Sequence, residues 1–233
     1  MKAHVVTDEA ARTAGMTLAG RPEPEATGND VLVEVHASGF TPGELTWPGT
    51  WTDRLGRNRT PSIPGHEVAG VVTTLGYGTR GLSVGQRVFG LAEWTRDGTL
   101  AESVAVEARN LAPLPGDVDF TMGASLPISG LTAWQGLFVH GRFAVGQSLL
   151  VHGAAGGFGS TVTQFSKEAG AYVIGTGRAA DRQAALDFGA QEMRVRDGRL
   201  RTDIGNVATL ENAVAAFNPT ERIKGKTIIR VRP

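Results

Sequence analysis

The chain has 233 residues, long enough to bury a real core as one large domain or two small ones. Its 23 Lys and Arg balance its 23 Asp and Glu, so no long-range field argues for a nucleic acid or an acidic membrane surface as partner. Cysteine is absent, which excludes disulfide frameworks and thiolate metal sites.

The first nine residues carry acids, Asp8 and Glu9, where a signal peptide has its apolar core, and no apolar run is long enough to span a bilayer. The expected setting is cytoplasmic. Residues 3–6 predict a first strand, and residues 21–30, rich in proline and polar groups, a loop. Residues 30–37 alternate well enough for a half-buried strand. Residues 39–62 form a long connection punctuated by glycine and proline, and a connection of that length is usually functional or disordered. Its tryptophans, Trp47 and Trp51, either line an apolar pocket or anchor the loop to the surface; Arg54, Arg57 and Arg59 read as a solvated face.

Short strands are expected at 68–75, 87–91 and 101–106, divided by turn signals at 76–78, 83–86 and 96–98. That spacing suggests a closed or folded-over antiparallel sheet rather than α/β units. The proline-rich stretch 110–117 marks a boundary, after which residues 120–139 read as helical, with Pro127 and Gly130 interrupting.

Residues 148–151 are a short apolar run of buried-strand type, followed at once by Gly153, Gly156, Gly157 and Gly159. Gly153, Gly156 and Gly159 recur every three residues, a spacing that lets the backbone turn sharply, approach a pyrophosphate and pack the next helix on the strand. A helix over 160–169 would point its free N–H groups and positive dipole end over that turn. Gly170 closes the helix and residues 171–174 make a second strand, completing a unit of roughly 30 residues. The glycines alone are a weak signal; the strand, turn, helix and strand around them strengthen it. A ribose 2′-hydroxyl calls for an acid about 20 positions beyond the motif. Here the second strand runs into Gly175, Thr176, Gly177 and Arg178, with Arg182 one helical turn later and no carboxylate before Asp181. A guanidinium there favours a 2′-phosphate, so the expected dinucleotide is NADP(H); the plainer alternative is that Arg178 and Arg182 form a solvated helix start.

The run from His152 to Gly159 is preceded by Pro64-Gly-His-Glu-Val-Ala-Gly70, by Gly85-Gln-Arg-Val-Phe-Gly90 and by Gly130-Leu-Thr-Ala-Trp134. Together these resemble the medium-chain dehydrogenase/reductase family, in its zinc-free NADPH:quinone oxidoreductase-like (zeta-crystallin-like) branch, over nearly the whole chain in order. The resemblance implies an α/β plus β fold. A GroES-like β-rich catalytic domain would occupy 1–118, a Rossmann-type parallel-sheet nucleotide domain 119–193, and a C-terminal return segment 194–233 would complete the catalytic domain. NADP(H) would lie in the cleft between. The cofactor-binding positions it implies are Thr132, Gly153, Ala154, Gly156, Gly157, Phe158, Gly159, Thr176, Gly177, Arg178 and Arg182. The catalytic positions it implies are Thr41, Glu44 and His66: Thr41 and Glu44 would face the reacting region, and His66 would either pack in the cleft or face substrate, in a structural or hydrogen-bonding role, with proton transfer the alternative.

Zinc-dependent relatives place a cysteine, a histidine followed by glutamate, and a further cysteine or acid around the metal. The matching positions here are Thr41, His66 with Glu67, and Ser129. One good ligand of three cannot hold zinc, which needs three protein donors, so no metal is expected. Without a Lewis acid the sensible chemistry is hydride delivery to a quinone or to the β-carbon of an enone, with a hydroxyl or water polarising the carbonyl. The family's dimers imply a homo-oligomer, although the strand they use falls in a part this sequence lacks.

That shortfall is the chain's departure from the family. After the helix expected at 179–188, residues 191–193 pass directly into 194–200. This stretch, with 210–217 and 225–231, resembles the segment that the family places after its Rossmann domain. A full doubly wound sheet would take roughly 60 to 90 more residues. Either the chain carries an internal deletion or a segment was left out; the sequence fits both. Two functional readings stand: an NADPH-dependent quinone or enone reductase, or a catalytically impaired deletion form acting as a non-enzymatic binding or self-associating module.

Overall fold

The structure, a computed structural model, describes residues 1–189, 203–218, 220 and 223–232. Its first hairpin pairs β1 (Lys2–Val5) antiparallel with β2 (Thr17–Gly20). β3 (Asp30–Gly39) is the long strand, and its alternation is that of a pleated ribbon with one face inward: Val31, Val33, Val35 and Ala37 are all fully buried. The connection after it carries a 3-10 turn (Pro42–Thr46) and the one-turn helix α1 (Pro48–Trp51). β4 (Glu67–Leu75), β5 (Arg87–Leu91) and β6 (Ser103–Glu107) come next, close to the spans expected, and β7 (Leu111–Pro113), which pairs with β5, falls where only a proline-rich boundary was expected. Ala101, expected within the sixth strand, instead makes an isolated bridge to Ala3.

The helical stretch divides into α2 (Phe120–Ser125), α3 (Pro127–Trp134) and a π-helical turn (Gln135–His140). Pro127 starts α3 at a position that needs no N–H. Gly130 does not interrupt it, contrary to expectation, because its N–H donates to the Leu126 carbonyl at 2.7 Å. β8 (Ser148–His152), α4 (Gly157–Glu168), β9 (Tyr172–Thr176) and α5 (Arg182–Gly189) then form the strand, turn, helix, strand and helix of the nucleotide unit. β10 (Ile204–Thr209), α6 (Ala213–Phe217) and β11 (Lys226–Arg230) end the described chain. The expectation for 194–200 lies outside the described residues.

The strands join a seven-stranded sheet of order β10-β11-β3-β4-β5-β7, and β6, though it comes after β5 in sequence, returns to pair with β3. One edge of β3 is therefore shared: Asp30–Glu34 bond β6, and Ala37–Gly39 bond β11. Every pairing in this sheet is antiparallel except β10 with β11. The last residues thereby complete the β-rich unit, and Leu210, Phe217 and Ile229 sit in one core cluster with Phe40, Leu45 and Leu100. β8 and β9 form a separate two-stranded parallel sheet among the described residues. α3 and the π-helical turn after it pack on α4 through Trp134, Phe138 and Phe165, with ring centroids 4.6 to 6.4 Å apart. Among the described residues no helix is long and apolar enough to cross a membrane.

The three arginines of the long loop are not alike. Arg54 and Arg57 are solvated, but Arg59, expected on the same face, has a side chain only 11% exposed. It donates to the Gly49 carbonyl at 2.5 Å and to Asp97 at 3.2 Å, closing the loop over the sheet.

Candidate nucleotide and catalytic sites

The glycine turn is built by backbone demands. Gly153 has φ +67°, in the left-handed region that favours glycine, and its carbonyl accepts from Gly156 N–H at 2.8 Å. A Cβ on Gly159 would collide with the Gly153 carbonyl, lying 2.8 Å from its carbon, so α4 rests directly on the turn. A Cβ on Gly157 would meet nothing within 4 Å, which leaves open space above the helix start. α4 begins three residues earlier than expected because the extended Gly156 (ψ 169°) places its carbonyl to accept from Ser160 at 2.8 Å. Ala154 is fully buried beneath the turn, and its N–H donates to the Thr176 carbonyl at 3.0 Å, tying the turn to the end of β9. His152 and Thr176 share a side-chain hydrogen bond of 2.8 Å at the same place. Phe158 stands 48% exposed at the helix start.

Beside the turn opens a cavity of about 640 Å³ whose lining includes Ala154, Thr176, Gly177, Arg178, Asp181 and Arg182. Arg178, expected as a free phosphate ligand or a solvated cation, is instead paired: its Nε donates to Asp181 Oδ2 at 3.0 Å and its second nitrogen to Oδ1 at 3.4 Å. This bond holds the Asp181 carboxyl below the usual carboxylate range. The structure thus brings together Gly153 to Gly159 and Thr176 to Arg182, the positions expected to bind a cofactor. Thr132 stands apart from them in the chain, exposed on α3.

Thr41, Glu44 and His66 converge, but not on an open surface. Glu44 Oε1 accepts from the Thr41 backbone N–H at 2.8 Å, capping the 3-10 turn, and the Glu44 side chain is fully buried. Its Oε2 faces His66 Nε2 at 3.8 Å. Among the described residues neither Glu44 Oε2 nor His66 Nδ1 has a hydrogen-bond partner. His66 is 1% exposed, stacked on Trp47 with centroids 5.9 Å apart and tilted against Trp94 at 4.9 Å. Burial, seconded by the Arg59 charge, pushes the His66 pKa down to about 4, so the ring is neutral at physiological pH. Burial pushes Glu44 well up, against the opposing Thr41 N–H bond. Of the three, Thr41 alone is exposed. Trp47 therefore does line the site, whereas Trp51 anchors the loop by donating its ring N–H to the Leu45 carbonyl at 2.9 Å.

Glu67, next to His66, is fully buried, accepts from Ile128 N–H at 2.9 Å and forms an ion pair with Lys226 of β11. Burial raises its pKa, opposed chiefly by the Lys226 charge. Gly39 must lack a side chain here, since a Cβ would lie 2.6 Å from the Ala124 carbonyl and collide with the carboxylate. Lys226 also donates to the Ser125 carbonyl at 3.0 Å, so one cation joins β11, β4 and the helix pair α2–α3. Sequence reasoning missed Lys226, Trp94 and Asp181 as parts of these sites. A donor set of two hydroxyls, Thr41 and Ser129, with one imidazole does not fit zinc. Among the described residues no group of three or more His, Asp or Glu could hold a metal ion.

Residues 27–116 match the alcohol dehydrogenase GroES-like domain. The quinone oxidoreductase of Rattus norvegicus is 36% identical over 174 residues, covering 74% of this chain and 51% of the relative. The chain belongs to the medium-chain dehydrogenase/reductase family. Within that family the similarity lies on the quinone oxidoreductase side. The NADPH-dependent alkenal/one oxidoreductase of Arabidopsis thaliana is also 36% identical, over 155 residues, covering 62% of this chain and 38% of the relative. The chain therefore spans about half the length of the rat relative it matches. In fold, the quinone oxidoreductase from Coxiella burnetii superposes with a TM-score of 0.86 at 21% identity, the alignment covering 100% of this chain and 99% of that one. A medium-chain dehydrogenase/reductase combines a GroES-like β unit with a Rossmann-type nucleotide unit, and both are present here, the second as the β8–α4–β9–α5 half.

Proposed function

We propose that this protein is an NADPH-dependent oxidoreductase that reduces a quinone or an α,β-unsaturated carbonyl without a metal ion. The observation that carries the reading is the glycine turn at the start of α4 opening beside the cavity lined by Arg178 and Arg182. The names of the rat and Arabidopsis relatives support the same substrate classes and, for the latter, the same cofactor. The division at 118 and 193, with the return segment from 194, is proposed on the same footing.

The residues fit a dinucleotide. Gly153, Gly156, Gly157 and Gly159 leave backbone N–H groups and a helix dipole uncovered by side chains, as a pyrophosphate requires. Ala154, Phe158, Thr176 and Gly177 would line the adenosine side, Arg178 and Arg182 would take the 2′-phosphate, and Thr132 would contact the cofactor from α3. The bound nicotinamide would supply hydride. Thr41, the exposed hydroxyl, would polarise the carbonyl, while Glu44 positions Thr41 through its N–H and neutral His66 faces Glu44 from behind. Each role uses a proton already held at the named atom and asks for no metal.

The test is a titration. Losing a charge-assisted phosphate contact costs roughly 1.5 to 3 kcal/mol, so Arg178→Ala should weaken NADPH about tenfold to a hundredfold and leave NADH nearly unchanged. Equal weakening of both would refute the assignment. Oxidation of NADPH with a simple quinone then reads turnover. A second reading, a self-associating binding module, is favoured by one observation: Leu150, Tyr172 and Ile174 of the β8–β9 sheet are 55%, 71% and 48% exposed. A homo-oligomer in light scattering with no turnover would support it, and turnover would overturn it.

A further inference from the structure

Two cations meet on the carboxylate of Asp181. Arg178 reaches it from the end of β9, and Lys224 brings its Nζ to 3.3 Å from Oδ1. Lys224 comes from the run that enters β11, so this cation is delivered by the seven-stranded sheet and not by the nucleotide unit. Asp181 has a side chain only 17% exposed, whereas Arg178 and Lys224 keep 65% and 38%. The guanidinium has five N–H donors and spends two of its nitrogens on Asp181 without exhausting them. Arg182 lines the same cavity.

Charge decides what such a group can take. Arg178, Arg182 and Lys224 against Asp181 leave about two positive charges uncompensated, and Lys167 adds a further cation to the cavity lining, enough for the −1.5 to −2 of a phosphomonoester at neutral pH. Both Asp181 oxygens are engaged by cations, Oδ1 by Arg178 and Lys224 and Oδ2 by Arg178, so its charge is committed to holding them. Its effect is to hold two long, flexible side chains side by side before any ligand arrives, which lowers the ordering cost of a phosphate site.

We propose that Lys224 is a specificity-determining residue for the 2′-phosphate, held beside Arg178 by Asp181 and supplied from the strand approach of the β-rich unit. This rests on the NADPH reading above and adds a residue to it. The test is calorimetric titration of the chain with 2′,5′-ADP and with 5′-AMP, for the parent, Lys224→Ala and Lys224→Arg, with thermal melts to check folding. Lys224→Ala should weaken 2′,5′-ADP about tenfold and 5′-AMP by less than about twofold, and Lys224→Arg should restore most of the loss. A parent that prefers 2′,5′-ADP and a Lys224→Ala variant that keeps the whole preference would overturn the role of Lys224 alone. Equal loss of both ligands in Lys224→Ala would overturn it too, as a merely structural effect. A parent that binds the two ligands alike would overturn the NADPH reading and this inference with it.

Discussion

Gly159→Ala and Gly157→Ala are a matched pair, two positions apart in α4, whose outcomes the structure sets in opposite directions. On helix propensity alone each substitution should stabilise, because alanine is favoured over glycine by about 1 kcal/mol in a helix interior. At Gly157 nothing lies within 4 Å of the new methyl, so this gain stands and stability should rise by about 0.4–1 kcal/mol. At Gly159 the methyl would lie 2.8 Å from the Gly153 carbonyl carbon and 3.2 Å from Ala154 Cα. Comfortable carbon–carbon contact is about 3.5–4.0 Å, so the turn must retreat by roughly an ångström, and it is backbone rather than a flexible side chain that must move. Overpacking of that kind costs about 1–3 kcal/mol, which outweighs the propensity gain. For a chain of this size each kcal/mol shifts Tm by about 2–4 °C, so Gly159→Ala should melt several degrees below Gly157→Ala. It should also lose affinity for 2′,5′-ADP, since the same carbonyl shapes the pyrophosphate turn. Urea and thermal unfolding of the two variants decide the matter. If Gly159→Ala equals or exceeds Gly157→Ala in stability, the close packing of α4 on the turn is wrong and the nucleotide cradle loses its geometric basis.

The remaining predictions concern buried charge. Lys226→Met should destabilise by about 3–5 kcal/mol in urea melts, because it leaves the fully buried Glu67 without its cation, and adding Glu67→Gln should recover much of that loss. Burial raises the Glu44 pKa in the folded state above its ordinary 4.5, so its contribution is whole below that pH and fades as pH rises. Glu44→Gln, which can still accept from Thr41, should therefore match the parent near pH 4 and surpass it progressively toward pH 8. His66 carries the opposite sign: with a folded pKa of about 4 against 6.5, the parent should lose about 3 kcal/mol relative to His66→Phe as pH falls between those values. A flat difference across that range would refute the buried, neutral state of the ring.

What the sequence made legible was what residue identity fixes locally. The alternation of Val31, Val33, Val35 and Ala37 gives β3 its inward face because a strand has a period of two whatever else it touches. The glycine turn was legible because a positive φ at Gly153 and the close approach at Gly159 can hardly be met by any other residue. Gly130 misled for the complementary reason: glycine is permitted in turns but does not force one, and its N–H bond to the Leu126 carbonyl keeps it helical. Arg59 was misjudged because its partners, Gly49 and Asp97, are chosen by how the loop closes over the sheet. The site was legible as a set of types but not as a geometry. Glu44 was expected to face the reacting region, and nothing local announces that it is fully buried against His66.

Lys224 and Lys226 show how far such geometry can depart from spacing. Two residues apart in a strand, they would share one face of the sheet. Gly225 prevents this: its φ of +94° lies in the left-handed region, and a Cβ there would fall 2.6 Å from the Asp203 carbonyl oxygen. The backbone therefore changes direction between the two lysines, so that Lys226 turns into the core to pair with Glu67 while Lys224 reaches out to Asp181. One short run of chain thus supplies the counter-charge of the buried carboxylate beside His66 and reaches Asp181, the carboxylate that Arg178 also binds. The two sites that the sequence presents as separate motifs share a single strand entrance, and any shift of β11 against β3 must move both cations at once.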